Sequence, residues 1–367
     1  MSNLQEFTFL PTEDHVKVLG RTFMLDDCRV LSLSGAGVEF KYTGTRLTVT
    51  FYGDSTTETV EGEAEPWRDQ ARVAVIIDGI IMLDTVIKKP VEKFVVFGEE
   101  ENAPIGEHIV RIIKLSEPRM STVGLGEISV LATEAVSGTE YMDKYIEFIG
   151  DSITCGYGID TPDEWYIFST DTENVTKSFA YKTAHKLGAD YSLVSYSGHG
   201  LLSGYTDDPT TPVLDELMQP YYEIFAYSYN TFRGMKLESR KWDYESERKP
   251  DVIVINLGTN DESYIQDDAD KKAAFESAYV DFLEQVHNVN PKSTIVVAFG
   301  LMGDALFEVE ERAVSNFKDK SGFRDVYAFR IRPQDFERNG YAADWHPSAA
   351  SHEIAADELT EFLKTIM

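Results

Sequence analysis

Residues 145–158, YIEFIGDSITCGYG, run from an apolar segment into a short polar turn and then into glycine-rich chain. The apolar part is typical of a buried strand, and Asp151, Ser152 and Thr154 follow where that strand ends. Because Gly, Asp and Ser are common turn residues, the turn has a purely structural explanation. The alternative is that the strand delivers Ser152 to the rim of a sheet as a nucleophile.

The pattern of this opening segment recurs through the second half of the chain. Between several apolar runs, other apolar residues recur at helical spacings of three and four. Strands that alternate with helices predict a parallel sheet covered on both faces. The ligand site of such a sheet lies beyond the carboxyl ends of its strands. The runs that end in polar turns are residues 145–150, 190–197, 252–258, 294–301 and 324–331.

Two segments carry the helical pattern most clearly. Apolar side chains form one stripe from Phe275 to Val286, between the third and fourth runs. The last segment repeats such a stripe from Ile354 to Ile366, and Ser348 before it is a suitable N-cap. We therefore expect the chain to end in a helix that packs on the sheet.

The first third of the chain has the two-residue period of strands instead. In TRLTVTFYG, residues 45–53, apolar residues alternate with Thr and Tyr. In ARVAVIIDGIIML, residues 71–83, the dipeptide Asp78-Gly79 separates two apolar runs and indicates a two-residue hairpin. We predict an antiparallel β-sandwich over residues 1–135 and an α/β domain over residues 136–367.

The charge of the chain excludes several classes of partner. Its 367 residues include 63 acidic and 34 basic side chains, for a net charge of −29. Such a surface repels phosphate backbones and anionic lipid heads, so we expect neither nucleic acid nor a membrane as a partner. The first residues lack a signal-peptide pattern, which predicts a cytoplasmic protein, or a secreted one if the numbering is that of a mature form. Cys28 and Cys155 lack metal-ligand spacing, so no zinc site is expected.

The turns at the predicted carboxyl ends supply the groups of an acyl-transfer site. The first run ends in Gly150-Asp151-Ser152, the second in Ser197-Gly198-His199-Gly200 and the third in Gly258-Thr259-Asn260-Asp261. Asp344-Trp345-His346-Pro347 precedes the final helix. These turns offer a hydroxyl, a backbone N–H beside glycine, an amide donor and an imidazole. Acyl transfer requires a nucleophile, oxyanion donors and a general base.

These four segments also resemble a known family. GDSIT, SYSGHG, LGTND and DWHP, in this order and each after the expected element, resemble the four sequence blocks of the SGNH, or GDSL-type, hydrolases. A sandwich before such a domain resembles carbohydrate esterase family 2, and residues 16–53, VKVLGRTFMLDDCRVLSLSGAGVEFKYTGTRLTVTFYG, are similar to the start of that family's first domain. The resemblance implies a jelly-roll sandwich followed by an SGNH hydrolase domain, and an acetyl esterase acting on acetylated xylan or related plant saccharides.

The resemblance implies a role for each block. Ser152 would be the nucleophile, and His346 would take its proton and later protonate the leaving sugar hydroxyl. The backbone N–H groups of Ser152 and Gly198 and the side-chain amide of Asn260 would form the oxyanion hole. The implied partner is an acetylated saccharide, and the implied chemistry needs no metal or organic cofactor.

One position departs from the family pattern. The clan usually places an aspartate three residues before the histidine, and that position here is Ala343. Asp344 lies two residues before His346 and could reach Nδ1 in extended chain, where alternate side chains point the same way. Otherwise a backbone carbonyl orients the imidazole, and Ser152 and His346 act as a dyad. We expect Asp344 to orient His346, because a carboxylate would stabilise the imidazolium that forms.

Aromatic residues near the blocks are candidates for binding the sugar. Trp345 could form a wall of the site, because aromatic faces bury the apolar C–H surface of sugars well. Tyr157, Trp165 and Trp242 could do the same, although aromatic residues more often belong to the core.

Four polar residues near the blocks have simpler explanations. We expect His199 to be a solvated turn residue and His352 to be a surface or capping residue. Asp151 fits an Asx role in its turn. Asp261 fits either a role in holding the site or a favourable charge at the start of the next helix.

Two other functions are compatible with parts of the pattern. A lipid or thioester hydrolase would share the four blocks, but the sequence shows no lipid-binding amphipathic segment. A saccharide-binding protein with a non-catalytic hydrolase domain would need only the sandwich. The complete set of Ser152, Gly198, Asn260 and His346 favours an enzyme.

Overall fold

The structure is a computed structural model, and it describes residues 4–58, 69–98 and 105–367. The chain divides into two compact units. The first unit comprises residues 1–141 together with two short segments, 169–173 and 226–239. The second unit comprises residues 142–168, 174–225 and 240–367.

The two short segments are bonded into the first unit through buried polar groups. The Glu173 carboxylate accepts a hydrogen bond from the backbone N–H of Glu117 at 2.7 Å. The Asn230 side-chain amide donates to the carbonyl of Met120 at 2.7 Å. No periodicity in the sequence indicates this arrangement, because each segment is too short to carry a pattern of its own.

The first unit is antiparallel and is organised around one long strand. β5 alternates between the two faces and pairs with five other strands. Its apolar residues Val38, Phe40, Val49 and Phe51 are fully buried in the core. The strands are β1 (Gln5–Phe9), β2 (Lys17–Leu19), β3 (Thr22–Leu25), β4 (Cys28–Leu31), β5 (Gly37–Gly53), β6 (Arg72–Ile77), β7 (Ile80–Val86), β8 (Val91–Phe97), β9 (Gly106–Lys114), β10 (Val123–Ala132) and β11 (Ser137–Gly138).

The predicted hairpin is confirmed. β6 and β7 pair antiparallel on either side of Asp78-Gly79. Both turn residues have positive φ, 53° for Asp78 and 82° for Gly79, as the two-residue turn that matches strand twist requires.

The second unit contains a five-stranded parallel sheet in the order β13-β12-β14-β15-β16. Its strands are β12 (Tyr145–Gly150), β13 (Asp190–Ser195), β14 (Val252–Asn256), β15 (Thr294–Phe299) and β16 (Val326–Arg330). Its helices are α1 (Ser152–Cys155), α2 (Phe179–Lys186), α3 (Gln219–Tyr222), α4 (Thr259–Ile265), α5 (Ala269–Val289), α6 (Phe307–Ser321), α7 (Phe336–Asn339) and α8 (Ala349–Leu363). In the described part of the chain, every helix falls short of the length or the apolar character that crossing a bilayer requires.

The strand order fixes where a ligand can bind. β12 is the second strand of this order, with β13 on one side and β14 on the other, so the chain reverses its direction of winding beside β12. In such sheets a crevice opens outside the carboxyl ends of the strands at this point. The turns after β12, β13 and β14 are those that carry Ser152, Gly198 and Asn260. The predicted fold class, an all-β sandwich followed by an α/β domain, is confirmed.

The two predicted helical stripes are confirmed with one correction. α5 buries Phe275, Tyr279 and Val286, and α8 begins after Ser348, whose hydroxyl accepts the backbone N–H of Ser351. Ile354 was expected on the buried stripe of α8, but its side chain is 37% exposed. The buried face of α8 instead runs through small residues such as Ala355 and Ala356, which let the helix lie close to its neighbours.

Gly258, between β14 and α4, has a conformation that only glycine adopts readily. Its φ is 129°, and a Cβ built on it would lie 2.7 Å from the Glu310 carboxyl oxygen and 3.1 Å from the Phe299 ring. Gly322, which ends α6, also has a positive φ of 77°, but nothing lies within 4 Å of its Cβ position. The two glycines therefore separate the effect of backbone strain from the effect of crowding.

We expect Gly258→Ala to lower the free energy of unfolding by about 2 to 4 kcal/mol, because strain and a steric clash add. Gly322→Ala, the matched control, should lower it by about 1 kcal/mol through strain alone. Chemical denaturation of both variants measures the difference. Equal losses would show that the contacts around Gly258 yield easily and that this turn is not held tightly.

Candidate active site

Ser152 is the first residue of α1, one residue after Asp151, which follows strand β12. The Asp151 carboxylate caps this helix by accepting the backbone N–H of Ile153 at 2.9 Å, which confirms the Asx role expected for Asp151. A tight strand-to-helix turn of this kind leaves the first backbone N–H groups of the helix without helical partners. The Ser152 side chain is 7% exposed, so its hydroxyl reaches only a narrow region of solvent.

His346 lies against this hydroxyl although 194 residues separate the two in sequence. Its Nε2 is 2.8 Å from Ser152 Oγ. Its Nδ1 lies 3.1 Å from each of two backbone carbonyl oxygens, those of Ala343 and Asp344. Acceptors on this side keep the ring hydrogen on Nδ1 and leave the Nε2 lone pair free to accept the Ser152 proton.

The protonation state of His346 suits a general base. Burial lowers the pKa of His346 to about 4, and the carbonyls of Asp344 and Ala343 and the charge of Asp344 oppose this effect only in part. The imidazole is therefore neutral at neutral pH. A neutral imidazole with a bare Nε2 can take a proton from a serine hydroxyl.

The expectation that the Asp344 carboxylate orients His346 is wrong. Its Oδ2 accepts a hydrogen bond from the Tyr157 hydroxyl at 2.7 Å, and the acceptors at Nδ1 are backbone carbonyls. The prediction assumed extended chain, whereas Asp344 has a left-handed backbone with φ 48° and ψ 43°. In that conformation the side chains of Asp344 and His346 no longer point the same way.

The three predicted oxyanion donors lie on adjacent turns. Within the described residues, the backbone N–H groups of Ser152 and Gly198 donate to no acceptor. The Asn260 amide donates to the carbonyl of His199 at 2.8 Å and, over a longer 3.3 Å, to the Asp151 carboxylate. Asn260 thus links the turn that carries Ser152, through Asp151, to the turn that carries Gly198, through His199.

Asp261 holds the turn that contains Gly198. Its fully buried carboxylate accepts the backbone N–H groups of Leu201, Leu202 and Ser203 at 2.6 to 3.0 Å. Burial raises the pKa of Asp261 to about 6, and these hydrogen bonds act in the opposite direction. Of the two roles expected for Asp261, holding the site is the one its contacts support. Gly200 is required here, because a Cβ on it would lie 2.6 Å from the Asp261 carboxylate.

Two of the aromatic candidates, Trp345 and Trp165, form an exposed surface beside His346. Trp345 is 42% exposed and Trp165 is 73% exposed, and their rings meet edge to face at 5.0 Å. The ring of Tyr341 also meets Trp345 edge to face, at 5.0 Å. Trp242 does not lie at the site, since it lines a cavity with Tyr145 at the amino end of β12.

His199 and His352 are both buried, so the solvated turn expected for His199 and the surface position considered for His352 are wrong. His199 packs against the rings of Tyr196 and Tyr221 behind the turn of Gly198. His352 Nδ1 accepts the backbone N–H of Phe179 at 3.0 Å, and burial lowers the pKa of His352 to about 3. His352 faces the start of α2, and sequence periodicity does not reveal that contact.

Comparison with known families finds matches in both parts of the chain. Residues 148–354 match the GDSL-like lipase/acylhydrolase family, and residues 20–137 match the N-terminal domain of carbohydrate esterase 2. The first range contains Ser152, Gly198, Asn260 and His346.

Two curated proteins resemble most of the chain. The cellulase/esterase CelE of Acetivibrio thermocellus is 30% identical over 343 residues, covering 89% of this chain and 38% of that protein. The chain therefore spans well under half of this relative. An acetylxylan esterase / glucomannan deacetylase of Cellvibrio japonicus is 28% identical over 373 residues, covering 98% of this chain and 91% of that protein.

Solved structures show the same two-part architecture. A family two carbohydrate esterase from Clostridium thermocellum, in complex with cellohexaose, superposes with a TM-score of 0.77 at 26% identity, covering 95% of this chain and 98% of that one. An acetyl xylan esterase from the rumen bacterium Butyrivibrio proteoclasticus has a TM-score of 0.84 at 23% identity, covering 99% of this chain and 98% of that one. The second likeness shows the shared fold.

The state of His346 predicts how the reactivity of Ser152 depends on pH. Labelling of Ser152 by a fluorophosphonate should be constant from about pH 8 to pH 6 and should fall by half near pH 4, because protonated His346 cannot accept the serine proton. Mass spectrometry after brief exposure to each pH measures the labelling rate, and circular dichroism shows that the fold persists. A midpoint at pH 6.5 or above would contradict the lowered pKa of His346.

Proposed function

The chain belongs to the GDSL-like lipase/acylhydrolase family, and on this basis we propose that it is a serine esterase that removes acetyl groups from acetylated xylan or related plant saccharides. The family matches confirm the resemblance of the four sequence blocks to the GDSL-type hydrolases and of the first domain to carbohydrate esterase family 2. The observation that carries the proposal is the 2.8 Å contact of His346 Nε2 with Ser152 Oγ. Nucleophile and base already lie at the distance that proton transfer requires.

The reaction proceeds in two halves. As Ser152 Oγ attacks the acetyl carbonyl, its proton passes to His346 Nε2, and the imidazolium then protonates the leaving sugar oxygen. The product of this half is an acetyl ester on Ser152. Water repeats the same proton transfers through His346 and releases acetate and free Ser152.

The charge that develops on the carbonyl oxygen needs donors fixed in advance. The N–H groups of Ser152 and Gly198 are aimed by α1 and by the turn that Asp261 holds. Asn260 supplies the third donor: the shorter bond to the His199 carbonyl holds its amide in place, and the hydrogen on the side of the longer bond to Asp151 is the one offered to the oxyanion. Fixed donors of this kind stabilise the transition state without reorganising during the reaction.

The saccharide preference rests on the relatives and on the exposed tryptophans. The relative from Cellvibrio japonicus is named an acetylxylan esterase / glucomannan deacetylase, and the carbohydrate esterase 2 domain matches residues 20–137. Trp345 directly precedes the base, so a sugar ring stacked on it would hold its acetyl group near Ser152. We therefore assign the leaving-group side of the site to Trp345 and Trp165.

Removing the nucleophile or an oxyanion donor tests the proposed reaction. We expect Ser152→Ala to lower kcat on acetylated xylo-oligosaccharides by several orders of magnitude. Asn260→Ala should lower kcat by about 10²- to 10³-fold, the usual effect of losing one oxyanion donor. Released acetate measures both rates. Unchanged hydrolysis in Ser152→Ala would reject the catalytic assignment. Faster turnover of octanoyl than of acetyl nitrophenyl esters would reject the preference for acetyl groups.

The tryptophans predict a second, separable effect. Trp345→Ala should raise KM for acetylated xylo-oligosaccharides by about 5-fold, because a stacked ring contributes about 1 kcal/mol beyond simple burial. Hydrolysis of 4-nitrophenyl acetate, which has no sugar, should change by less than about 3-fold. Trp242→Ala is the matched control, since Trp242 lies at the other end of β12. Equal effects on both substrates would show that Trp345 supports the structure of the site and does not bind the sugar.

A further inference from the structure

Tyr157 contacts both the general base and the turn that orients it. Its ring lies between two others: the imidazole of His346 at 4.2 Å on one face and Phe168 at 4.0 Å on the other. Both pairs are stacked, with interplanar angles of 26° and 14°. The Tyr157 hydroxyl donates to the Asp344 carboxylate at 2.7 Å.

The turn before His346 has an unfavourable backbone. Asp344 and Trp345 have φ values of 48° and 63°, in the left-handed region where a Cβ is crowded by the backbone. Two such residues in succession persist only when their surroundings fix them. This conformation is what directs the carbonyls of Ala343 and Asp344 toward His346 Nδ1.

The segment that follows the nucleophile provides the support for this turn. Gly158 accepts a hydrogen bond from the Ala343 N–H at 3.3 Å. A Cβ on Gly158 would lie 2.4 Å from Ala343 Cβ, so only glycine permits this approach. Tyr157, one residue earlier, fixes the other end of the turn through the Asp344 carboxylate.

We propose that Tyr157 and Asp344 form a positioning pair that replaces the missing triad carboxylate. The Tyr157 hydroxyl anchors the Asp344 carboxylate and so holds the Asp344 carbonyl at Nδ1 of His346. The Tyr157 ring supports the imidazole from its face. This inference rests on the proposed function, because it assigns a role in the proton transfers of His346.

The stacked ring also has an electrostatic role in this arrangement. When His346 takes the Ser152 proton, the imidazolium lies over the electron-rich face of Tyr157, where a cation is favoured. Donation of the phenol hydrogen to a carboxylate adds electron density to that face. Among the described residues, Asp344 carries the charge that acts on His346 and favours the protonated imidazole. The neighbouring His352 is neutral at neutral pH, because burial lowers its pKa to about 3.

The test compares Tyr157→Phe, Asp344→Asn, the double variant and Tyr157→Leu on 4-nitrophenyl acetate. We expect Tyr157→Phe and Asp344→Asn each to lower kcat by about 3- to 10-fold, with KM changed by less than about 2-fold. The double variant should be no slower than either single one, because the two residues act through one bond. Tyr157→Leu, which also removes the stacked ring, should be at least about 30-fold slower.

The pH profile separates positioning from general structural damage. In Asp344→Asn the acid limb of kcat/KM should move to lower pH, because the imidazolium loses a neighbouring negative charge. Loss of folded protein would lower kcat without moving this limb. Melting temperatures control for folding. If one single variant does not fold, the other still tests the pair, because Tyr157→Phe removes the donor of this charge-assisted hydrogen bond and Asp344→Asn removes the charge on its acceptor.

Three results would overturn the inference. They are an unchanged kcat in both single variants, a double variant whose loss of kcat is the product of the two single losses, or an Asp344→Asn variant with lower kcat and an unmoved acid limb. Failure of the proposed function would look different. In that case the unmodified protein would not hydrolyse 4-nitrophenyl acetate faster than Ser152→Ala does.

Discussion

The structure depends on bringing one hydroxyl and one imidazole into hydrogen-bonding distance from positions 194 residues apart. A parallel sheet does this because all its carboxyl ends lie at one edge. β12 delivers Ser152 to that edge, and the loop before α8 returns His346 to it.

Around that contact, buried polar groups determine the positions of the loops. Asp151 caps the helix of Ser152, Asn260 joins the turns after β12 and β13, and Asp261 gathers three N–H groups of the turn that contains Gly198. Each of these bonds satisfies backbone or amide groups that would otherwise be buried without partners. The loops of the site are therefore held by hydrogen bonds to one another, and not only by the apolar core beneath them.

The sequence predicted the fold and the central pair well for physical reasons. Strand and helix periods report burial directly, and polar residues after apolar runs indicate the carboxyl ends where a site forms. The role of Asp344 was misjudged because its backbone is left-handed, and no glycine at position 344 or 345 signals this. The turn is held by contacts of Tyr157 with Asp344 and of Gly158 with Ala343. His352 was misjudged because its burial depends on α2, which lies far away in sequence. Such features follow from tertiary contacts, and periodicity does not report them.

The composition of the first unit has a consequence for how this protein can be divided. Because residues 169–173 and 226–239 belong to that unit, the chain passes from one unit to the other five times. No single cut of the gene separates the sandwich from the α/β fold with both intact. A fragment ending near residue 141 would leave Glu117 and Met120 without the segments that bond to them. The two parts therefore cannot be exchanged between proteins as simple modules.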